Sequence, residues 1–293
     1  MRHSIPVVKQ ESKSPMGQKS LIRTVRECLV KYSALLILSH LGISNLRADP
    51  KIPESLLDDQ HVREEAGVNE FTSPSIDKIF KDLATLAPLP PAALDRGEPA
   101  KPPIQQGALA LELGRLIADG FLMVQSGQTE KVEDLARQLN RYARALGIGD
   151  RVNRHAASLL DHAKNKRLDD LRDELKKTQE DVERELVLLR DPGLASLIGL
   201  GGWLRAYDAA TIALEARYTP ERIQLLLRPE VPDYFIAMME ALPPREQQQK
   251  TNIALKAELQ NLYKTLEAQK GQEPTPELVG KLRAHAKILT AIQ

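Results

Sequence analysis

The sequence predicts an all-α protein, an antiparallel multi-helix bundle, and three observations support this prediction. Aromatic residues make up only 4% of the 293 residues, and alternating β-branched runs are missing, so the usual material of a β-sheet is lacking. Helix-start signals are frequent: a hydroxyl residue precedes proline at Ser73–Pro74, Thr219–Pro220 and Thr275–Pro276. The joins between predicted helices are short, which suits antiparallel neighbours.

Apolar periodicity and capping residues together locate the individual helices. Thr129 can cap a helix that Gly147 ends, and Asp150 can cap the next one. The predicted helices cover residues 54–66, 74–86, 104–126, 130–146, 151–165, 167–190, 193–217, 220–227, 232–241, 246–269 and 276–291.

Residues 1–48 have the order typical of a bacterial export signal. A basic segment leads into the apolar run 33–43, and the small residue Ala48 follows shortly afterwards. The sequence therefore predicts a periplasmic or secreted protein cut after Ala48, with Met16 as a plausible true start. An uncleaved membrane anchor is the alternative, but the run is far shorter than the roughly 20 residues that a spanning helix needs. A buried cytosolic helix is the other alternative, and the basic residues beside the apolar run fit it poorly.

Removal of residues 1–48 changes the charge and the cysteine content of the chain. These residues hold eight of the 41 basic and two of the 40 acidic side chains, so the remainder carries a net charge of about −5. Such a body lacks the basic surface that nucleic acids or anionic lipids require. Cys28, the only cysteine, is also removed, which excludes disulfides, thiolate zinc sites and cysteine nucleophiles.

Composition divides the rest of the chain into three parts. Six prolines between Pro88 and Pro103 predict a non-helical, extended linker. Residues 49–103 are therefore interpreted as an N-terminal arm with a proline-rich linker, and residues 104–243 as the body of the bundle. After Pro243–Pro244, residues 244–293 are expected to form a helical hairpin.

Two predicted helices are apolar almost all round and carry their few charges in narrow stripes. The first stripe, on 104–126, consists of Glu112, Arg115 and Asp119, with Arg115 within reach of both acids. The second stripe, on 193–217, consists of Arg205, Asp208 and Glu215. Gly199, Gly201 and Gly202 on the second helix suggest a close helix crossing, a kink or a backbone exposed to a ligand.

If the two stripes face each other, they enclose a polar site between the helices. One interpretation is a pocket for a cation or a small polar ligand, with a surplus pair of carboxylates and Trp203 in its wall. The others are a self-satisfied ion-pair network, which buried charges require, and stripes that face solvent. The candidate ligand-binding residues are Glu112, Arg115, Asp119, Trp203, Arg205 and Asp208.

Catalytic, metal and cofactor sites find no support in the sequence. No motif pairs a nucleophile with a base, and no phosphate-binding glycine loop or covalent haem motif is present. His155 and His162 lie about 10 Å apart along one predicted helix, too far for one metal ion. The sequence therefore predicts no metal and no cofactor and favours a non-enzymatic role.

The predicted helix 167–190 carries the clearest signal for a partner. Its apolar residues follow the 3-4 spacing of a coiled coil; they are Leu168, Leu171, Leu175, Thr178, Val182 and Leu189. The helix could bind another protein or a second copy, or it could pack inside its own bundle. The sequence thus predicts a role in protein–protein interaction in the cell envelope. The alternative is a periplasmic ligand-binding or sensor module with its site between helices 104–126 and 193–217.

Overall fold

Helices account for 81% of the residues that the computed structural model describes, namely 76–97, 101–188 and 191–292, and none of these residues lies in a strand. The prediction of an all-α fold is confirmed. In chain order the helices are α1 (Ile76–Leu83), α2 (Pro91–Leu94), α3 (Gln106–Ser126), α4 (Val132–Ala145), α5 (Gly149–Lys164), α6 (Leu168–Leu188), α7 (Pro192–Ala216), α8 (Pro220–Ile223), α9 (Glu230–Ala241), α10 (Pro244–Gln247), α11 (Lys250–Gln269) and α12 (Pro276–Ala291). The predicted helix 54–66 and the export signal lie outside the described residues.

Most predicted helix ends agree with the structure to within a few residues, and the exceptions have local causes. Thr129 opens a 3-10 turn that precedes α4, so it does not cap α4 directly. Asp150 lies in the first turn of α5 and not at its cap. The predicted helix 246–269 divides into α10 and α11 because Gln249 adopts an extended backbone conformation.

The core of the fold is the contact between α3 and α7, which is more extensive than any other helix–helix contact of the described residues. Backbone approaches backbone here: a side chain added at Gly201 would collide with the carbonyl oxygen of Leu111, and one at Gly114 with that of Ile198. Of the three alternatives that the glycines suggested, a close helix crossing is the one that the structure contains.

The helices α3 and α7 run in the same direction. Gly107 lies beside Leu197, and Leu111 lies beside Gly201, so contact positions advance together along both helices. Three helices, α4 to α6, separate the pair in the chain, and the four reversals of direction between successive helices bring α7 back parallel to α3. The antiparallel arrangement that short joins predict therefore does not describe the central pair, because its members are not neighbours in the chain.

The proline-rich segment is packed on the core and contains a helical turn, so the expectation of a non-helical, extended linker is wrong at this point. Pro90 and Pro91 begin α2. Proline lacks a backbone N–H, and this costs nothing here because N–H groups in the first turn of a helix have no partner within the helix. Ala93 in α2 is fully buried, and α2 packs against α7. The same hydrophobic core extends from Phe80 in α1 to Leu289 in α12, across the predicted divisions between arm, body and hairpin.

The seam of helix α6, meaning its positions that follow the 3-4 spacing of a coiled coil, faces the interior of the protein. Leu171, Leu175, Thr178 and Val182 are all buried, whereas Leu168 at the start of the helix is 36% exposed. Helix α6 packs on α5, α7 and α3. The four buried positions are therefore covered by the chain's own helices, whereas Leu168 remains partly exposed; Leu189 lies outside the described residues.

Candidate functional site

The two charged stripes meet at the crossing of α3 and α7. The Arg205 guanidinium, which is 2% exposed, donates from Nε to Asp119 Oδ1 at 2.6 Å. Its Nη2 donates to the carbonyl oxygen of Ala93 at 2.9 Å, which ties helix α2 to the same point. Asp208 Oδ2 lies 3.6 Å from Arg205 Nη1. Each stripe thus supplies charge partners for the other.

Two further arginines, which the sequence analysis did not select, complete the cluster. Arg96, just after α2, donates from Nε to Asp119 Oδ2 at 2.6 Å and places Nη2 2.6 Å from Glu112 Oε1. Arg283 on α12 donates to Asp208 Oδ1 and lies 3.5 Å from Glu215 Oε2. The resulting charge network alternates basic and acidic side chains in the order Arg115, Glu112, Arg96, Asp119, Arg205, Asp208, Arg283 and Glu215.

This charge network removes the surplus of carboxylates on which the cation-binding interpretation depended. Arg96 and Arg283 come from elements far away in sequence and balance the two extra acids. Arg115 pairs with Glu112 at 3.4 Å. Asp119 pairs instead with Arg96 and Arg205, so the predicted ion pair between Arg115 and Asp119 is not formed. In the described part of the chain, no group of three or more His, Cys, Asp or Glu side chains could hold a metal ion.

A cleft of about 360 Å³ opens beside the charge network, a size within the range of small-molecule sites. Among its described lining residues, five are basic and only two are acidic. The basic ones are Arg96, Lys101, Arg115, Arg205 and Lys287; the acidic ones are Glu112 and Asp208. Apolar groups supply much of the remaining wall, namely Pro103, Ala108, Leu111, Ala291 and Ile292. The cleft therefore combines an excess of positive charge with hydrocarbon surface.

Three guanidinium nitrogens of the lining are buried without a hydrogen bond to the described residues: Arg96 Nη2, Arg115 Nε and Arg205 Nη1. Arg96 Nη2 lies 2.6 Å from Glu112 Oε1 and Arg205 Nη1 lies 3.6 Å from Asp208 Oδ2, so each of these two has an acid beside it. Arg115 is 5% exposed, and its Nη2 donates to the carbonyl oxygens of Leu289 and Ile292 at the end of α12, both at 3.3 Å. These nitrogens have almost no accessible surface, so an acceptor in the cleft would contact the more accessible basic side chains of the lining, which are Arg96, Lys101 and Lys287.

The pKa directions of the arginines follow the same charge distribution. Burial lowers the pKa of Arg115, and the attraction of Glu112 offsets this only in part because Arg96 repels it. Burial also acts against Arg96, but Asp119 and Glu112 outweigh it and raise the pKa of Arg96 above its ordinary value. Arg115 is thus the less neutralised of the two cations.

Trp203 does not belong to this cluster. It precedes Arg205 by two residues, which turns its side chain about 200° around the helix to another side of α7. There it is buried and packs against the rings of Tyr207 and Phe235, at centroid distances of 5.0 and 5.4 Å. Trp203 is a core residue, and its inclusion among the candidate ligand-binding residues is not supported by its position.

A hydroxyl, an imidazole and a carboxylate do come together on the hairpin of α11 and α12. His285 Nδ1 lies 2.6 Å from Glu258 Oε1, and His285 Nε2 lies 2.9 Å from Thr265 Oγ1. The sequence analysis found no pairing of nucleophile and base, and the fold supplies one. Thr265 stands inside helix α11, however, where the surrounding backbone N–H groups are engaged in the helix and no oxyanion hole is formed. The arrangement therefore works as a polar contact between two helices.

Comparison with known proteins yields no match among family models, curated proteins or solved structures. Among the described residues, no helix is both long and apolar enough to cross a membrane. The function of the cleft must therefore be argued from its geometry and charge.

Proposed function

We propose that this protein is a non-enzymatic helical binding protein that holds a small anionic molecule in the cleft between α3, α7 and α12. The observation that carries the proposal is the described lining of the cleft, which has five basic and two acidic side chains and leaves Arg96, Lys101 and Lys287 accessible. An anion in the cleft would accept hydrogen bonds from these accessible basic groups and reduce the excess positive charge.

The scaffold that we propose for this role is a helical bundle closed by the α11–α12 hairpin. Arg115 contacts the C-terminal end of α12, and Arg283 near the middle of α12 contacts α7. Helix α12 therefore meets the charge network at two points along its length. Interaction with another protein stays a prediction, but the α6 seam gives it little support because Leu171, Leu175, Thr178 and Val182 are buried and only Leu168 of its described positions is exposed.

Anion binding predicts a rise in melting temperature that depends on the anion. Sodium benzoate at low concentration should raise it relative to sodium chloride at equal ionic strength, because a ligand of the native state stabilises by RT ln(1 + [L]/Kd). Differential scanning fluorimetry measures the effect. Sulfate stabilises proteins in general by exclusion from their surface, so only the part of its effect that a charge placed in the cleft removes counts as binding. Equal curves for benzoate and chloride would contradict the proposal.

A charge introduced into the cleft provides the matched control. Ala108 is half-buried and lines the cleft, so Ala108→Glu places a carboxylate among the basic residues and should abolish the anion-dependent shift. Ala108→Gln has nearly the same size without the charge and should retain most of the shift. Loss of the shift in both variants would indicate blockage of the cleft by bulk and would argue against recognition by charge.

We further propose that the protein works outside the cytoplasm. The support is the basic, apolar and small-residue order of positions 19–48 in the sequence. N-terminal sequencing of protein recovered from the cell envelope should begin at or near Asp49. Recovery of the full-length chain from the cytoplasm alone would refute export.

A further inference from the structure

The wall of the cleft contains more than charge. Besides its basic side chains it presents Leu111 and Ala108 of α3, Ala291 and Ile292 at the end of α12, and Pro103 of the segment before α3. An inorganic anion would contact the guanidinium groups and leave this hydrocarbon surface against water. A ligand that covers both kinds of surface gains from both.

The charged and apolar parts of the wall are joined through helix α12. Arg115 donates to the backbone oxygens of Leu289 and Ile292, so this guanidinium is held beside the apolar residues Ala291 and Ile292. Lys287 on α12 is exposed and lines the same cleft. A single small molecule can therefore place an acidic group at Lys287 and an apolar portion along the end of α12.

We infer that the ligand is an amphiphilic organic acid, with its anionic group at the accessible basic side chains Arg96, Lys101 and Lys287. Its hydrocarbon portion lies against Leu111, Ala108 and Ile292. This inference rests on the proposed function, because it specifies the ligand of the same cleft. The volume of about 360 Å³ leaves room for an acid of small-molecule size and excludes a macromolecular ligand from the interior of the cleft.

The test is a titration of the full chain with straight-chain carboxylates, from acetate through butanoate and hexanoate to octanoate, by isothermal titration calorimetry. Each methylene that enters the cleft should tighten binding by about fourfold, which corresponds to the transfer of one buried CH₂ group. Sulfate is titrated in parallel as an anion without a hydrocarbon portion. It should compete with hexanoate for the cleft and bind more weakly than hexanoate.

The outcomes separate the two proposals. If sulfate and every carboxylate bind equally well, the cleft recognises charge alone: the proposed function stands and the amphiphilic ligand is refuted. If neither sulfate nor any carboxylate binds, the proposed function fails and this inference fails with it. A progressive gain along the series supports both.

A pair of isoleucine variants on adjacent parts of α12 adds a structural check. Ile292→Ser removes hydrocarbon from the cleft and should weaken hexanoate binding by roughly three- to tenfold while sulfate binding is unchanged. Ile288→Ser makes the same exchange at an exposed position that does not line the cleft and should leave both affinities unchanged. Equal effects of the two variants on hexanoate would overturn the placement of the hydrocarbon portion.

Discussion

Asp119→Ala should lower the free energy of unfolding by about 3–5 kcal/mol, the cost of leaving a buried charge without its partner. Both carboxylate oxygens of Asp119 are engaged, Oδ1 by Arg205 and Oδ2 by Arg96, each at 2.6 Å. Arg205 is almost fully buried, so water cannot take the place of the carboxylate. Urea denaturation at neutral pH measures the difference from the unmodified chain.

An exposed aspartate gives the matched control for this prediction. Asp134 on α4 pairs with Arg137 three residues later, and both side chains are about two-thirds exposed. Asp134→Ala should therefore change the free energy of unfolding by no more than about 0.5 kcal/mol. A loss of less than about 1 kcal/mol for Asp119→Ala would mean that the charge network is hydrated and does not hold α2, α3 and α7 together.

Gly201→Ala should lower the free energy of unfolding by about 3 kcal/mol, the upper end of the usual cost of overpacking. The added Cβ would collide with the carbonyl oxygen of Leu111, a backbone atom that cannot move without separating α3 from α7. Ordinarily the same exchange inside a helix is favourable, because alanine has the higher helix propensity. Thermal and urea unfolding of the variant give the value.

Gly280→Ala on α12 is the matched control, because it changes helix propensity without a steric collision. No atom lies within 4 Å of the position that its Cβ would occupy, and the residue is exposed. This variant should raise the free energy of unfolding by about 0.5–1 kcal/mol. The two exchanges are thus expected to have opposite signs. Stabilisation by both would show that α3 and α7 do not approach as closely as their glycines indicate.

The sequence predicted the helices well because their signals are local. Proline after Thr219 begins a helix, and the Thr219 hydroxyl accepts from the Arg222 backbone N–H as expected for a cap. Gly147 ends the preceding turn with a positive φ of 82°. The all-round apolar character of 104–126 and 193–217 also indicated correctly that these two segments are central.

The charge network could be predicted only in part, because five of its seven pairings join residues that are distant in sequence. Five of the six candidate ligand-binding residues and Glu215 were recognisable as isolated charges on apolar helices. Arg96 was hidden by its position among prolines, and Arg283 by its place on a helix with several other charges. Without these two arginines the acids are in surplus, which is why a cation stood beside a small polar ligand as a possible occupant of the pocket. Each stripe has two acids and a single arginine, and this imbalance on a buried helix is the signal that would have prompted a search for further arginines.

The most direct test of the anion cleft is a crystal structure with 4-bromobenzoate, located by the anomalous scattering of bromine. We predict a bromine peak in the cleft near Ile292, with a carboxylate oxygen within about 2.7–3.2 Å of a side-chain nitrogen of Arg96, Lys101 or Lys287, the range of an N–H···O hydrogen bond. A cleft without the ligand at saturating concentration, or bromine bound only elsewhere on the surface, would contradict the assignment of this cleft to an organic anion.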